Sequence, residues 1–253
     1  MLSIENLSFG YGKRIPPVLR NVNLELNSGE IGILLGKNGS GKTTLFKNIL
    51  GILSPAGGSI QFDGEDLLKM PRRERARRIA YVPQDIQFGA LTVFDSVLMG
   101  RVSYFGTRAS EADYEVTRRV LSDMRLEEYA MRNVEQLSGG ERQKVAIARA
   151  MAQEPRLLIF DEPVGNLDIA NEQLIIEEAR RLAREKNIAI LCSIHDLNGA
   201  LSFGDRFFFL RDGEIAHQGG KDAVTPDAIS ETFDVDVRIV EIEDRKIIIG
   251  GNC

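Results

Sequence analysis

With two cysteines, two histidines, no tryptophan and no surplus of basic charge, this 253-residue chain is already restricted in what it can be. Cys192 lies inside an apolar run and Cys253 is the last residue. They form no CxxC and no framework spacing, so neither a disulfide scaffold nor a zinc site is expected, and any metal should be oxygen-bound. Lys and Arg number 32 against 37 Asp and Glu, with a net charge of −5 and a pI near 5.3. No global positive field therefore exists to draw nucleic acid or an anionic bilayer. The longest apolar stretches, such as 188–194, fall short of the roughly 18 residues needed to cross a membrane. Residues 1–10 lack the basic-then-apolar layout of a secretory signal, so a cytosolic chain is expected. What is present, 43% hydrophobic and 27% charged residues without low-complexity segments or solenoid repeats, describes a globular chain of one large domain or two small ones.

Near the start, Val22, Leu24 and Leu26 alternate with Asn21, Asn23 and Glu25, the pattern of a half-buried strand and of an antiparallel sheet. After the turn at Asn27-Ser28-Gly29, the run 31–35 leads into a glycine-rich stretch and then a helical segment over 42–50. Two later strands end in polar residues: 157–160 in Asp161-Glu162, and 188–194 in His195-Asp196. In open α/β sheets, ligands bind where strands finish, and this architecture points to a nucleotide-type site. Between Gln84 and Ala150 the period becomes helical, with 114–121 and 126–131 apolar on one face, which predicts a helical insert. The arginines at 72, 73, 75, 77 and 78 read as the solvated face of a helix closing with Ile79 and Ala80 inside, since no aromatics interleave. Asp212-Gly213 predicts a hairpin turn, followed by more β structure and a tail over 222–253.

Gly36-Lys37-Asn38-Gly39-Ser40-Gly41-Lys42-Thr43 matches GxxxxGK[ST] and lies between a predicted strand and a predicted helix. Glycines let backbone N–H groups turn inward, Lys42 sets an ammonium against the β/γ-phosphates, and the Thr43 hydroxyl can ligate Mg²⁺. A cradle holds a nucleotide without cleaving it. Asp161, presented at the mouth of a buried strand, can hold the magnesium shell, and Glu162 can polarise an attacking water.

Leu137-Ser138-Gly139-Gly140-Glu141 opens another helix. Ser138 and Glu141 have capping-box spacing, while Gly139 and Gly140 sacrifice helix propensity and leave N–H groups accessible at a positive dipole end. One terminal phosphate does not easily occupy two cradles of one chain separated by a helical insert, so a second copy should supply the partner cradle.

In these segments the chain resembles the ATP-binding-cassette ATPases over nearly its whole length. Residues 36–43 look like Walker A, 137–141 like the LSGGQ-type signature, and 157–162 like Walker B followed by the catalytic glutamate. Tyr11 resembles the adenine-stacking aromatic, Gln84 the Q-loop glutamine, Leu167-Asp168 the end of the D-loop and His195 the switch histidine. The resemblance implies an α/β fold: a P-loop, RecA-like ATPase core with an N-terminal antiparallel β subdomain and a helical insert. The expected division is 1–84 as β subdomain and first part of the core, 85–150 as helical insert, 151–221 as second part of the core, and 222–253 as tail.

It further implies ATP and Mg²⁺, with Gly36, Lys37, Asn38, Gly39, Ser40, Gly41, Lys42, Thr43, Thr44 and Tyr11 on one side of each nucleotide. Ser138, Gly139, Gly140, Glu141 and Asp168 would come from the other copy of a head-to-tail homodimer. Glu162, His195 and Gln84 are the implied catalytic group, and Thr43, Gln84 and Asp161 the implied metal donors. Val164-Gly165-Asn166 departs from the Thr-Ser-Ala-like run of many relatives, and Glu141 stands in place of Gln.

Residues 91–105 and the tail Phe233-Asp234-Val235-Asp236-Val237 resemble the importers of iron chelates, haem and cobalamin. On that resemblance, residues 84–101 receive a coupling helix of a separate membrane permease, a substrate-binding protein acts indirectly, and the chain sits peripherally at the cytoplasmic face of the cell membrane. The alternatives are a soluble ATPase of iron–sulfur assembly and a P-loop kinase or GTPase. Gln84, the signature and His195 count against a kinase, and the lack of an NKxD motif counts against GTP.

Overall fold

The computed structural model describes residues 1–12, 15–84, 86–163, 169–194, 196–242 and 245–250. In chain order the elements are β1 Leu2–Phe9, β2 Leu19–Leu26, β3 Ile31–Leu35, α1 Lys42–Ile49, β4 Gly57–Phe62, β5 Glu65–Asp66, α2 Arg72–Arg78, β6 Ile79–Val82, α3 Val93–Leu98 and α4 Glu111–Asp123. They continue with α5 Gly139–Met151, β7 Leu157–Asp161, α6 Ile169–Lys186, β8 Ala189–Ser193, α7 Leu197–Phe203, β9 Arg206–Arg211, β10 Glu214–Gly219, α8 Pro226–Phe233, β11 Val237–Ile242 and β12 Arg245–Gly250. Two compact units result: Met1–Met70 with Leu182–Cys253, and Pro71–Arg181.

The first unit carries an antiparallel sheet of order β2-β1-β4-β5. Val22, Leu24 and Leu26 face its core, as the alternation predicts. In the same unit β3 lies between β8 and β9, parallel to both, and β10 pairs antiparallel with β9. All five residues of β3 and all five of β8 are buried. Parallel strands covered on both faces need such unbroken apolar runs, which is why these segments show no alternation. The β9–β10 turn sits at Asp212 and Gly213, with φ of 49 and 83. Both are positive, as a two-residue hairpin loop demands.

The tail, for which the sequence predicts no element, carries α8 followed by the β11–β12 hairpin. Thr225 caps α8 by accepting from the Ala228 N–H at 3.1 Å, and Pro226 occupies the first turn, where its missing N–H costs nothing. The β11–β12 hairpin is held to α7 by Asn198, which donates to the Ile248 carbonyl at 3.1 Å and accepts from the Ile248 N–H at 2.8 Å.

In the second unit β6 and β7 run parallel, with Val82 opposite Phe160. The arginine-rich helix α2 ends at Arg78, and Ile79 and Ala80 belong to β6 instead of closing the helix. Arg75 is buried, so the run is not a uniformly solvated face. The segment 126–131 forms a single 3-10 turn at Glu127–Tyr129 in place of the expected amphipathic helix, entered from Arg125 at φ 54, which no α-helix continues through.

Arg101, predicted on a receiving surface, is instead 5% exposed and braces the interior of this unit. Its guanidinium donates to Asp113 at 3.1 Å, to the Ala152 carbonyl at 2.8 Å and to Glu154 at 2.8 Å, and lies 3.6 Å from the centre of the Tyr104 ring. Burial would raise the Asp113 carboxyl. Hydrogen bonds from the Ser110 N–H and hydroxyl, and from Arg101, outweigh it and hold the group below the usual carboxylate range.

Candidate nucleotide site

The loop from Gly36 to Gly41 leaves β3 and enters α1 through an unusual cap. Gly41 has φ 112, a conformation closed to residues with a Cβ, and an added Cβ would lie 2.9 Å from Leu19 Cδ2. Among the described residues no side chain caps α1, and no acidic residue stands in its first turn. The helix N-terminus keeps its positive end and N–H donors for an external anion.

Lys42 is 6% exposed, and its ammonium donates to the carbonyls of Gly36 at 2.8 Å and Lys37 at 3.2 Å. Ser40 Oγ is buried and has no hydrogen-bond partner among the described residues. An orphaned hydroxyl beside a buried ammonium, under an uncapped helix, fits a bound triphosphate. Asn38, Gly39 and Thr43 are exposed, while Thr44 is buried and shares a 3.3 Å hydrogen bond with the Tyr11 hydroxyl. Tyr11 is 57% exposed and meets Phe9 edge to face, with ring centres 5.0 Å apart. One face of its ring can take a base. Lys37 points elsewhere: its ammonium pairs with Asp234 at the end of α8, and that ion pair, with Arg211 at 3.8 Å, lowers the Asp234 pKa.

In the second unit the parallel register of β6 and β7 brings Gln84 to Glu162, and the Gln84 amide donates to the Glu162 carboxylate at 2.5 Å. Glu162 has φ 54, an uncommon left-handed conformation for a residue with a long side chain, costing on the order of 1 kcal/mol. Such strain persists where surrounding structure imposes it, commonly at functional sites. Asp161 is 5% exposed and accepts from the Tyr81 hydroxyl at 3.2 Å. Burial first, then the neighbouring Asp161 charge, pushes the Tyr81 phenol upward, so it stays a donor. Sequence reasoning did not find Tyr81, because β6 was not recognised as a strand; the clue was its place three residues before Gln84.

Ser138 caps α5 as its spacing predicts. The Glu141 carboxylate accepts from the Ser138 N–H at 2.8 Å and hydroxyl at 2.7 Å, and the Glu141 N–H donates back to Ser138 Oγ at 3.4 Å. These bonds to Ser138 lower the Glu141 pKa, helped by the Tyr129 hydroxyl and the Arg132 charge. Gly139 is exposed, but Gly140 is buried, so only one of the two glycines presents open backbone in this chain. Asp168, the 164–166 departure and His195 lie outside the described residues.

The ABC transporter family profile matches residues 19–165. A curated relative, an ABC transporter ATP-binding protein of Methanocaldococcus jannaschii without an assigned cargo, is 39% identical over 98% of this chain and 97% of its own. The iron(3+)-hydroxamate import ATP-binding protein of Bacillus subtilis is 36% identical over 94% of this chain and 90% of its own. Among solved structures, an inward-facing metal-chelate type ABC transporter superposes with TM-score 0.84 and 30% identity, over 98% of this chain and 95% of that one. A dimeric post-hydrolysis ATP-binding cassette bound to ADP and Pi superposes with TM-score 0.76 and 29% identity, over 87% of this chain and 99% of that one. With the uncapped phosphate loop, the strained Glu162 and the capped Ser138 turn in one polypeptide, the chain belongs to the ABC transporter family.

Proposed function

We propose that this protein is the ATP-hydrolysing subunit of an importer for an iron chelate, haem, cobalamin or a related metal-containing solute, working as a head-to-tail homodimer beneath a separate permease. The observation that carries the nucleotide reading is the uncapped α1 N-terminus over the buried Lys42 ammonium. The cargo class is supported by the iron-hydroxamate and metal-chelate relatives. The dimer is supported by the dimeric cassette structure and by a second glycine-containing turn at Ser138.

In this reading the 36–43 loop and Thr44 grip the triphosphate, Tyr11 stacks on the base, and Ser138, Gly139, Gly140, Glu141 and Asp168 meet the nucleotide held by the other copy. Lys42 exchanges its loop carbonyls for phosphate oxygens. Glu162 orients and polarises the attacking water once Gln84 releases its carboxylate, and His195 donates to the γ-phosphate. Among the described residues no group of three His, Cys, Asp or Glu could hold a metal unaided. Mg²⁺ takes few protein ligands beside phosphate oxygens; Thr43, Asp161 and the side-chain amide oxygen of Gln84 are the donors assigned to it. When bound, the ion neutralises charge developing on the phosphates.

No helix among the described residues is long and apolar enough to cross a membrane; in this reading the permease is a separate chain. Met99 and Val102, 51% and 48% exposed beside the end of α3, offer apolar surface for a permease helix. Attachment would place the subunit at the cytoplasmic face of the membrane. Glu162→Gln is the test: ATP binding persists, turnover falls at least a hundredfold, and a nucleotide-dependent dimer accumulates, read by light scattering. Normal hydrolysis in this variant removes Glu162 from its role. Co-purification with a polytopic membrane protein distinguishes the importer from a soluble iron–sulfur assembly ATPase.

A further inference from the structure

Helix propensity argues against glycine at 140, inside the first turn of α5, and a side chain at α6 explains its presence. An ideal Cβ on Gly140 would lie 2.0 Å from Asn171 Oδ1, 2.3 Å from Asn171 Cγ and 2.9 Å from Asn171 Nδ2. The three nearest atoms all belong to one side-chain amide, which occupies the volume that any other residue at 140 needs. Gly140 is accordingly buried while Gly139, its neighbour, is exposed. Asn171 stands in the first turn of α6, the helix that follows the 164–168 segment carrying Asp168. On the other side of the same turn, the Glu141 carboxylate accepts from the Ser138 N–H at 2.8 Å and hydroxyl at 2.7 Å.

We infer that Asn171 is a positioning residue: its amide, seated on Gly140, sets the first turn of α5 against the start of α6 and so aims the Ser138 hydroxyl and Gly139 N–H at the nucleotide. The inference rests on the reading that this turn meets ATP, and adds a residue to which no role in the reaction has been given. The amide lies against the backbone of the turn, so a side chain added at 140 must displace it, and with it the packing between the two helix starts.

A double-mutant cycle tests it, with kcat and KM for ATP measured on the full-length protein and thermal melting as a control for folding. Asn171→Ala removes all three obstructing atoms. Alone it is expected to raise KM for ATP about fivefold, with kcat at saturation and melting temperature close to wild type. Gly140→Ala is expected to raise KM at least tenfold beside Asn171, and threefold or less in the Asn171→Ala background. Equal losses in the two backgrounds, or a wild-type KM in Asn171→Ala, overturn the role of Asn171 while leaving the turn's contact with nucleotide intact. If Gly140→Ala changes KM in neither background, the reading of the turn itself falls.

Discussion

Two glycine-bearing turns open two helices of this protein, and they are finished in opposite ways. Before α1, Gly41 sits at φ 112 with no side-chain cap and no acid in the first turn. Before α5, Ser138 and Glu141 close a full capping box, and Glu141 places a carboxylate at the helix N-terminus. Helix ends carry unsatisfied N–H groups and partial positive charge, so the first is left requiring an anion and the second brings its own. Under the proposed function, the contrast separates a loop that would bind phosphate within one chain from a turn that carries its own cap and would be brought to a nucleotide.

The sharpest break of this contrast is Lys42→Ala. Losing a charge-assisted contact to phosphate should weaken nucleotide binding by about 3 kcal/mol, roughly a hundredfold in Kd, measured by titration with a fluorescent ATP analogue. A smaller loss would mean that the uncapped helix end, not the ammonium, dominates.

Ser138→Ala should act differently. The cap is worth about 1 kcal/mol, read as a lowered melting temperature, while nucleotide affinity of the isolated chain stays at the wild-type value and ATP-dependent dimerisation is lost. A nucleotide Kd that moves with Ser138 would erase the distinction between the two turns.

The smallest effect belongs to Glu141. Its hydrogen bonds to Ser138 hold its pKa below the usual carboxylate range, so the stabilisation is fully present above that range and disappears as the pH falls through the depressed value. Glu141→Gln keeps one capping acceptor and removes the titration. Its acid unfolding should lose the part due to this group, with a stability difference from wild type at neutral pH of about 0.5 kcal/mol. An unchanged acid limb would show that Glu141 does not cap the helix in solution.

The elements most legible in the sequence were those whose local pattern and burial agree. Val22, Leu24 and Leu26 alternate because one face of β2 meets the core, and the motif at 36–43 announces its own backbone conformation through its glycines. Illegible elements depended on distant partners. The strand β6 follows α2 without a break and is recognisable only through its pairing with β7. The importer resemblance put Arg101 at the end of a receiving surface, yet Asp113, Glu154 and the Ala152 carbonyl, contributed from beyond its own turn, make its burial tolerable.

The sequence by itself determined the phosphate loop, the capping box and the apolar strands that end at acidic residues, because each follows from neighbours a few positions apart. Tertiary structure alone decided that Gln84 reaches Glu162, that Tyr81 holds Asp161, that Lys37 turns to Asp234 and that Asn171 fills the place of a Cβ on Gly140. These contacts join residues tens to nearly two hundred positions apart. Strand register and helix packing fix such distances, and no local periodicity encodes them.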